Sequence, residues 1–482
     1  MIGTLINNRK EIVGLFIAGL IFLGLNLEIS FMSHQFIFGI GHKERPIIQF
    51  LFYIFSSFLV YLISLTWLKW IQPDRHTRNL MLFVIVFVSI AARLIYFPSQ
   101  LIQETDPYRY IWDGQAILQG VNPYQSSPEE AFSNDLKPAD TNNSSTVSEI
   151  YQKINHPGVK TIYPPLAQIL FAFSQWLTPW SFLGWKSMVF ITECLVFFFL
   201  IKILLKLKLP AEGVMLYGWS PLILKEFSNS LHLDIFVVLF LTVMIYALIK
   251  KWWIVAFASL AFTTLIKLFS VILLPLLAIY AYKRNRQVVL KGIGLFVFII
   301  VAMYLPFLSA GTSVWEGLIR FSSEWEVNVG LFAVIKWGIQ IFPIPDMAVE
   351  IISRLCAMGI FIGLASLVFL RSMKRRGGLS NFLTAVILLL SFFFFLIPTG
   401  NPWYFTWLFP FLVILPVKSL IAFSGLVFLY YLDFYFMYQG QSYLFGYIRS
   451  IEYSLFFIIL GWELWNKIRP WPLLYRFSMR KI

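Results

Sequence analysis

Charge is what this sequence has least of. Only 13% of its 482 residues are Asp, Glu, Lys or Arg, about half the share usual in soluble domains. That excludes an ordinary soluble globular protein. Cysteine is scarcer still. Cys194 and Cys356 sit inside apolar runs and define neither a disulfide framework nor a zinc site. Strands of alternating polar and apolar residues are lacking, which excludes an outer-membrane barrel. The sequence has no Walker loop, no dinucleotide fingerprint and no zinc-type ligand spacing. A cleavage site is missing after the first apolar stretch, so that stretch is expected to remain as a helix. What is abundant is apolar surface: 59% hydrophobic and 18% aromatic residues, with mean hydropathy +0.75. Disorder is therefore excluded as well. At about 20 residues per crossing, this composition fills about fourteen bilayer spans.

Apolar runs long enough to cross lie near 12–32, 47–70, 79–98, 185–205, 212–228, 230–250, 252–266, 268–283, 288–308, 347–370, 379–398, 403–417, 419–438 and 450–467. One further run, Tyr163–Thr178, is short and bounded by Pro164-Pro165 and Pro179. Basic residues cluster at Arg9/Lys10, Lys69/Arg75/Arg78, Lys202/Lys206/Lys208, Lys250/Lys251, Lys283/Arg284/Arg286/Lys291, Arg371/Lys374/Arg375/Arg376, Lys418, and Lys467 through Lys481. All of these can face the cytoplasm together only if 163–178 does not cross. That run is therefore read as a re-entrant or interfacial helix, and both termini as cytoplasmic. The net charge of +14 then reports topology, and no nucleic-acid partner is expected. The loops 98–163, 225–234, 266–269, 309–346, 399–404 and 439–450 all fall on the opposite, periplasmic or extracytoplasmic, face.

Those loops hold the residues that can carry chemistry. The densest stretch runs from Gln103 to Gly114. A carboxylate at the membrane surface can take a proton from an attacking hydroxyl, and Glu104, Asp106 and Asp113 are available. Arg109 can bind phosphate or hold a carboxylate. The plain alternative is a solvated acidic loop in which Asp106 caps a helix with Pro107 in its first turn. In the second stretch, Lys225 to Asp234, Lys225 and His232 could bind phosphate and Asp234 could orient His232 or a sugar; otherwise Asp234 is a helix cap. Lys267 either meets a lipid phosphate or snorkels to the interface. Asn401, Trp403 and Tyr404 suit sugar stacking or an aromatic belt. Arg449 either takes an anionic partner or pairs with Glu452 one turn on. Asn142 and Asn143 begin N-x-S sequons.

Together these motifs resemble a known family. Asp106-Pro-Tyr-Arg-Tyr-Ile-Trp-Asp-Gly-Gln, with Gly120-Val-Asn-Pro-Tyr124 after it, is similar to the first outer loop of bacterial polytopic mannosyltransferases of the GT-C superfamily. The block from Ile154 to Gln168, Ser220–Phe227 with His232-Leu-Asp234, and Asn401-Pro-Trp-Tyr404 also fit. The resemblance covers about residues 90–455. It implies an all-α polytopic integral membrane protein of GT-C type, with about fourteen transmembrane helices plus re-entrant or interfacial helices in the outer loops. The expected division is two N-terminal helices (1–78), a catalytic module (79–455) with the large first outer loop, and a basic cytoplasmic tail (456–482).

The resemblance also implies inverting transfer of a sugar, mannose by the nearest motifs, from a polyprenyl-phosphate donor to a lipid-linked or glycan acceptor. The superfamily's base maps to Asp106. Thr105 stands where a second carboxylate often precedes the base, so Glu104 is the substitute acid. Arg109, Lys225, His232, Lys267 and Arg449 are the expected donor-phosphate contacts. Asp234, Tyr163, Asn401, Trp403 and Tyr404 are the expected sugar or acceptor contacts. No metal is expected, although carboxylate-rich loops leave a divalent ion open. A transporter or flippase for lipid-linked sugars is the competing class, because polar groups within spans also line translocation routes. Against it stand the absence of an inverted repeat and the concentration of charged motifs on one face.

Overall fold

The structure is a computed structural model and describes residues 2–37, 41–68, 74–134, 144–374 and 377–466. The sequons at Asn142 and Asn143, Lys69, Arg375, Arg376 and the basic run from Lys467 to Lys481 lie outside the described residues. Regular structure among the described residues is helical, apart from one isolated bridge between Val327 and Thr399.

Among the described residues nine helices are long and apolar enough to cross a membrane: Glu11–Phe36, Ile47–Leu68, His76–Tyr96, Phe182–Lys206, Arg286–Glu324, Asp346–Lys374, Leu379–Leu396, Lys418–Tyr438 and Ser442–Trp465. At 1.5 Å per residue, each of these reaches about the 30 Å of hydrocarbon it must cover. Large side chains such as Phe52, Phe83 and Phe298 are about two-thirds exposed on them, as a lipid-facing surface requires. The protein is thus a multi-pass membrane protein.

The other five runs expected to span are shorter or broken. Residues 212–228 divide into Ala211–Val214, Met215–Gly218, Pro221–Ile223 and a π-helical turn, Leu224–Asn229. Asp234–Lys250 has 17 residues and Trp253–Thr264 has 12. Leu268–Leu273 is a 3-10 segment leading into Leu274–Tyr282. Residues 402–412 fall into three short pieces. Pro221, Pro275 and Pro410 each remove a backbone donor within these runs.

The chain forms two compact units: 1–102, 197–229 and 327–482 in one, and 103–196 and 230–326 in the other. They interleave along the chain. In the first unit α1 (Ile2–Met32) packs on α2 (Ile47–Leu68) and α3 (Arg75–Tyr96). Asn26 joins them by donating to Ser57 and accepting from the Tyr96 hydroxyl at 2.9 Å. Asn229 fixes the exit of this unit. Its side chain accepts from the Ile102 amide at 3.1 Å and donates to Gln100 O at 2.7 Å.

The second unit is built on α4 (Asp106–Leu118), followed by α5 (Pro128–Ser133), α6 (Ser144–Gln152) and α7 (Pro165–Leu177). Helix α7 corresponds to the run 163–178. Its 13 residues rise only about 20 Å, less than the hydrocarbon thickness. Its buried face meets α4 so closely that a Cβ added at Gly114 would lie 2.5 Å from the Phe171 carbonyl oxygen. The Tyr110 ring stacks on Phe171 with centroids 4.4 Å apart. Ala167 N–H donates to Leu265 O at 3.3 Å, tying α7 to the turn that carries Lys267. The outer loop is pinned to residues 305–316 by Asn122–Ser309 and Lys160–Glu316 contacts.

Candidate active site

The first turn of α4 organises the site. A helix start leaves backbone N–H groups without intrahelical partners. Here Glu104, outside the helix, supplies the acceptor: its Oε1 takes the Thr105 and Asp106 amides, both at 2.8 Å. The alternative in which Asp106 itself caps is therefore replaced. Glu104 caps, and Asp106 is the first helical residue. The second Glu104 oxygen lies 3.0 Å from His232 Nε2. That histidine belongs to the turn preceding Asp234–Lys250 and is fully buried.

Asp106 is left with a lighter load. Its Oδ2 accepts from the Tyr163 hydroxyl at 3.3 Å, and the residue is partly exposed. Burial, then the neighbouring Glu104 charge, push its pKa up to about 6, against the pull of His232, Lys267 and the Tyr163 hydrogen bond. Asp234 also departs from the capping alternative. Leu233 is the N-cap, without a side-chain bond, and Asp234 Oδ2 faces Lys267 Nζ at 3.5 Å. The same ammonium lies over the Tyr163 ring, 5.7 Å from its centroid. The second unit therefore gathers Glu104, Asp106, Tyr163, His232, Asp234 and Lys267 from four separated stretches of chain.

Arg109 and Asp113 are on the same helix but are engaged with each other. Arg109 Nε donates to Asp113 Oδ1 at 2.6 Å, and Nη1 donates to Val159 O at 2.8 Å. Gln168 Nε2 occupies the other Asp113 oxygen at 3.1 Å. Both residues are buried. This i,i+4 pair clamps α4 to the loop before α7; both Asp113 oxygens are taken, and of the buried guanidinium Nη2 is left without a hydrogen-bond partner.

The remaining expected contacts belong to the first unit. Lys225 lies in the π-helical turn, fully buried, with Nζ 5.0 Å from the Tyr431 ring centroid. Its neighbour Glu226 accepts from the Tyr431 hydroxyl at 3.1 Å. Asn401 precedes the helical turn Pro402–Phe405 and is buried. Trp403 is half-buried, and Tyr404 stacks on Trp407 at 4.7 Å. Arg449 is half-buried, and its charge acts on both Glu452 and Asp433. Glu452 also accepts from Asn328 Nδ2 at 3.1 Å.

Three residues of these clusters escaped sequence reasoning. Tyr110 and Gln168 lie inside recognised motifs, but only the folded chain turns them toward Asp106 and Asp113. Asn328 has a left-handed backbone, φ 44°, and no local sequence signal. Among the described residues no three His, Cys, Asp or Glu side chains are grouped to hold a metal ion.

Residues 29–283 match the family model described as alpha-(1->6)-mannopyranosyltransferase, N-terminal domain, of the MptA_B family. The chain belongs to this family. No curated protein and no solved structure matches it. The family makes the chain a mannosyltransferase, in agreement with the motif resemblance. The matched range contains the whole second-unit cluster from Glu104 to Lys267, whereas Asn401, Trp403, Tyr404 and Arg449 lie beyond it.

Proposed function

We propose that the protein transfers mannose, with inversion, from a polyprenyl-phosphate donor to a hydroxyl of a lipid-linked or glycan acceptor on the non-cytoplasmic face of the plasma membrane. An α-linked product formed with inversion requires a β-linked donor. The acceptor oxygen attacks the anomeric carbon while a base takes its proton. The bond from that carbon to the phosphate oxygen breaks, and the electron pair leaves with the polyprenyl phosphate.

One observation carries the assignment of the base. Of the three acids in the outer-loop motif, Glu104 spends both oxygens on the helix start and His232. Asp113 spends both on Arg109 and Gln168. Asp106 is partly exposed, and its side chain holds a single hydrogen bond, from the Tyr163 hydroxyl. A carboxyl raised toward neutrality is also better matched to proton transfer than an ordinary aspartate. Cations aimed at the leaving phosphate would stabilise the charge as it develops. Lys267 and His232 serve this in the second unit, and Arg449 and Lys225 are the donor contacts assigned to the first. Asp234 and Tyr163 then orient sugar or acceptor, with Asn401, Trp403 and Tyr404 as further contacts.

The five short apolar segments complete about fourteen crossings in this reading, embedded among longer helices that satisfy their backbone. The basic clusters set both termini in the cytoplasm, which puts the 98–163 loop and Asp106 outside. The chemistry as written uses no metal. The test is transfer from purified polyprenyl-phosphate mannose to membrane-extract acceptors, with the product read by mass. Turnover supports the reading, and translocation of the donor without a glycosidic product overturns it.

A further inference from the structure

Tyr110 has no role in the chemistry described so far, yet its surroundings are unusual. It lies one helical turn after Asp106 on α4, on the same face. Its ring is locked: stacked on Phe171, edge-on to Tyr163 at 5.4 Å and to Trp185 at 5.3 Å. Its hydroxyl is buried and makes no hydrogen bond. A buried hydroxyl without a partner costs about 1–3 kcal/mol, so a fold that only needed an aromatic slab there would be better served by phenylalanine. Tyr163, Asp106, Asp234 and Glu104 are the charged or ionisable groups near enough to oppose its ionisation, and together with burial they hold its pKa well above the ordinary tyrosine value.

We propose that Tyr110 is a positioning residue for the base, a second phenol donor that joins Tyr163 in holding the Asp106 carboxylate ionised and correctly turned. The inference rests on Asp106 being the base. Tyr163 occupies only Oδ2 of that carboxylate, at 3.3 Å. An ionised carboxylate takes several donors, and the locked Tyr110 ring offers one from the same helix face. Since the two make no direct bond in this state, rotation of the carboxylate or one bridging water completes the link. The other groups acting on Asp106 are Glu104 from the preceding loop, His232 from the turn before the 234–250 helix, and Lys267 from the 264–268 turn, whose ammonium also faces Asp234. Glu104 opposes ionisation and the cations favour it, while Tyr110 and Tyr163 add neutral donors. A neutral donor to the charged form lowers a carboxyl pKa, so the pair offsets part of the burial.

The test is the pH–rate profile of Y110F, measured on the full-length protein beside Y163F and D106N. Phenylalanine keeps the stacked ring and removes only an unpartnered hydroxyl, so the variant should fold with unchanged or slightly raised thermal stability. The expected result is an acid limb displaced upward by about 0.5 pH unit, which is about threefold less activity at low pH. The deficit closes at high pH, and KM for the donor is unchanged. Y163F should move the limb in the same direction and further. A Y110F profile that superposes on the wild type overturns the proposal, as does a pH-independent loss. If D106N itself turns over normally, the base assignment fails first, and the two failures are thereby distinguished.

Discussion

The Arg109–Asp113 pair offers a decisive perturbation, because the sequence motif and the folded geometry give it different jobs. As a phosphate contact, Arg109 should matter to donor affinity and little to stability. As a buried clamp, it should matter first to stability. Replacing Arg109 with Met deletes the 2.6 Å bond to Asp113 and the 2.8 Å bond to Val159 O and strands a buried carboxylate. Breaking one partner out of a buried pair costs about 3–5 kcal/mol. Asp113→Asn keeps the Gln168 contact but leaves the guanidinium without a counter-charge, at a cost in the same range. If the two acted independently, the double variant would lose the sum. Because they act on each other, it should recover about 2–3 kcal/mol of that sum. The assay is denaturant unfolding of the detergent-purified protein, followed by tryptophan fluorescence, with donor KM measured on the same preparations. Wild-type stability in Arg109→Met, accompanied by a raised donor KM, would refute the clamp and restore the phosphate role.

Further tests follow from single contacts. Gly114→Ala puts a methyl group 2.5 Å from the Phe171 carbonyl oxygen, so α4 and α7 must part; a loss of about 1–3 kcal/mol is expected in the same unfolding assay. Arg449→Ala should raise KM for the donor and leave acceptor KM alone; an unchanged donor KM would remove Arg449 from the site. Activity should rise with pH through about 6, because Asp106 must be ionised to accept a proton and burial raises its pKa to that value; a rate flat from pH 5 to 8 would contradict this. Rates with and without a divalent-metal chelator should agree, and a chelator-sensitive rate restored by a metal would overturn the metal-free chemistry.

How much of this was readable beforehand depends on the distance over which each residue finds its partner. The long apolar runs announced a membrane protein, since a 20-residue span is a local property. Pro164-Pro165 and Pro179 marked α7 as a short helix for the same reason. Arg109 was read as binding phosphate or holding a carboxylate, without Asp113 being named as that carboxylate. Tyr163 and Asp106, by contrast, are 57 residues apart, and His232 reaches Glu104 from another stretch altogether. No local pattern encodes such meetings; the resemblance supplied the residues but not their division of labour. The plain alternative had Asp106 capping the helix; the N-cap is Thr105, and Glu104 from outside the helix takes the Thr105 and Asp106 amides, a contact that no local pattern distinguishes from an Asp106 cap. The runs 212–228, 268–283 and 403–417 read as continuous in sequence because hydropathy outweighs a single proline in any window. Their breaks at Pro221, Pro275 and Pro410 become evident only when the backbone is followed.

The central claim is that this mannosyltransferase uses Asp106 to deprotonate the acceptor of a polyprenyl-phosphate-linked mannose. The most direct measurement is single-turnover transfer of labelled mannose from that donor by wild-type protein and by Asp106→Asn, with donor binding measured in parallel. The predicted result is a glycosylated product from the wild type and, in the variant, a transfer rate lower by about 10²–10⁴ with donor binding retained. Near-wild-type transfer by Asp106→Asn, with Glu104 and Asp113 intact, would contradict it.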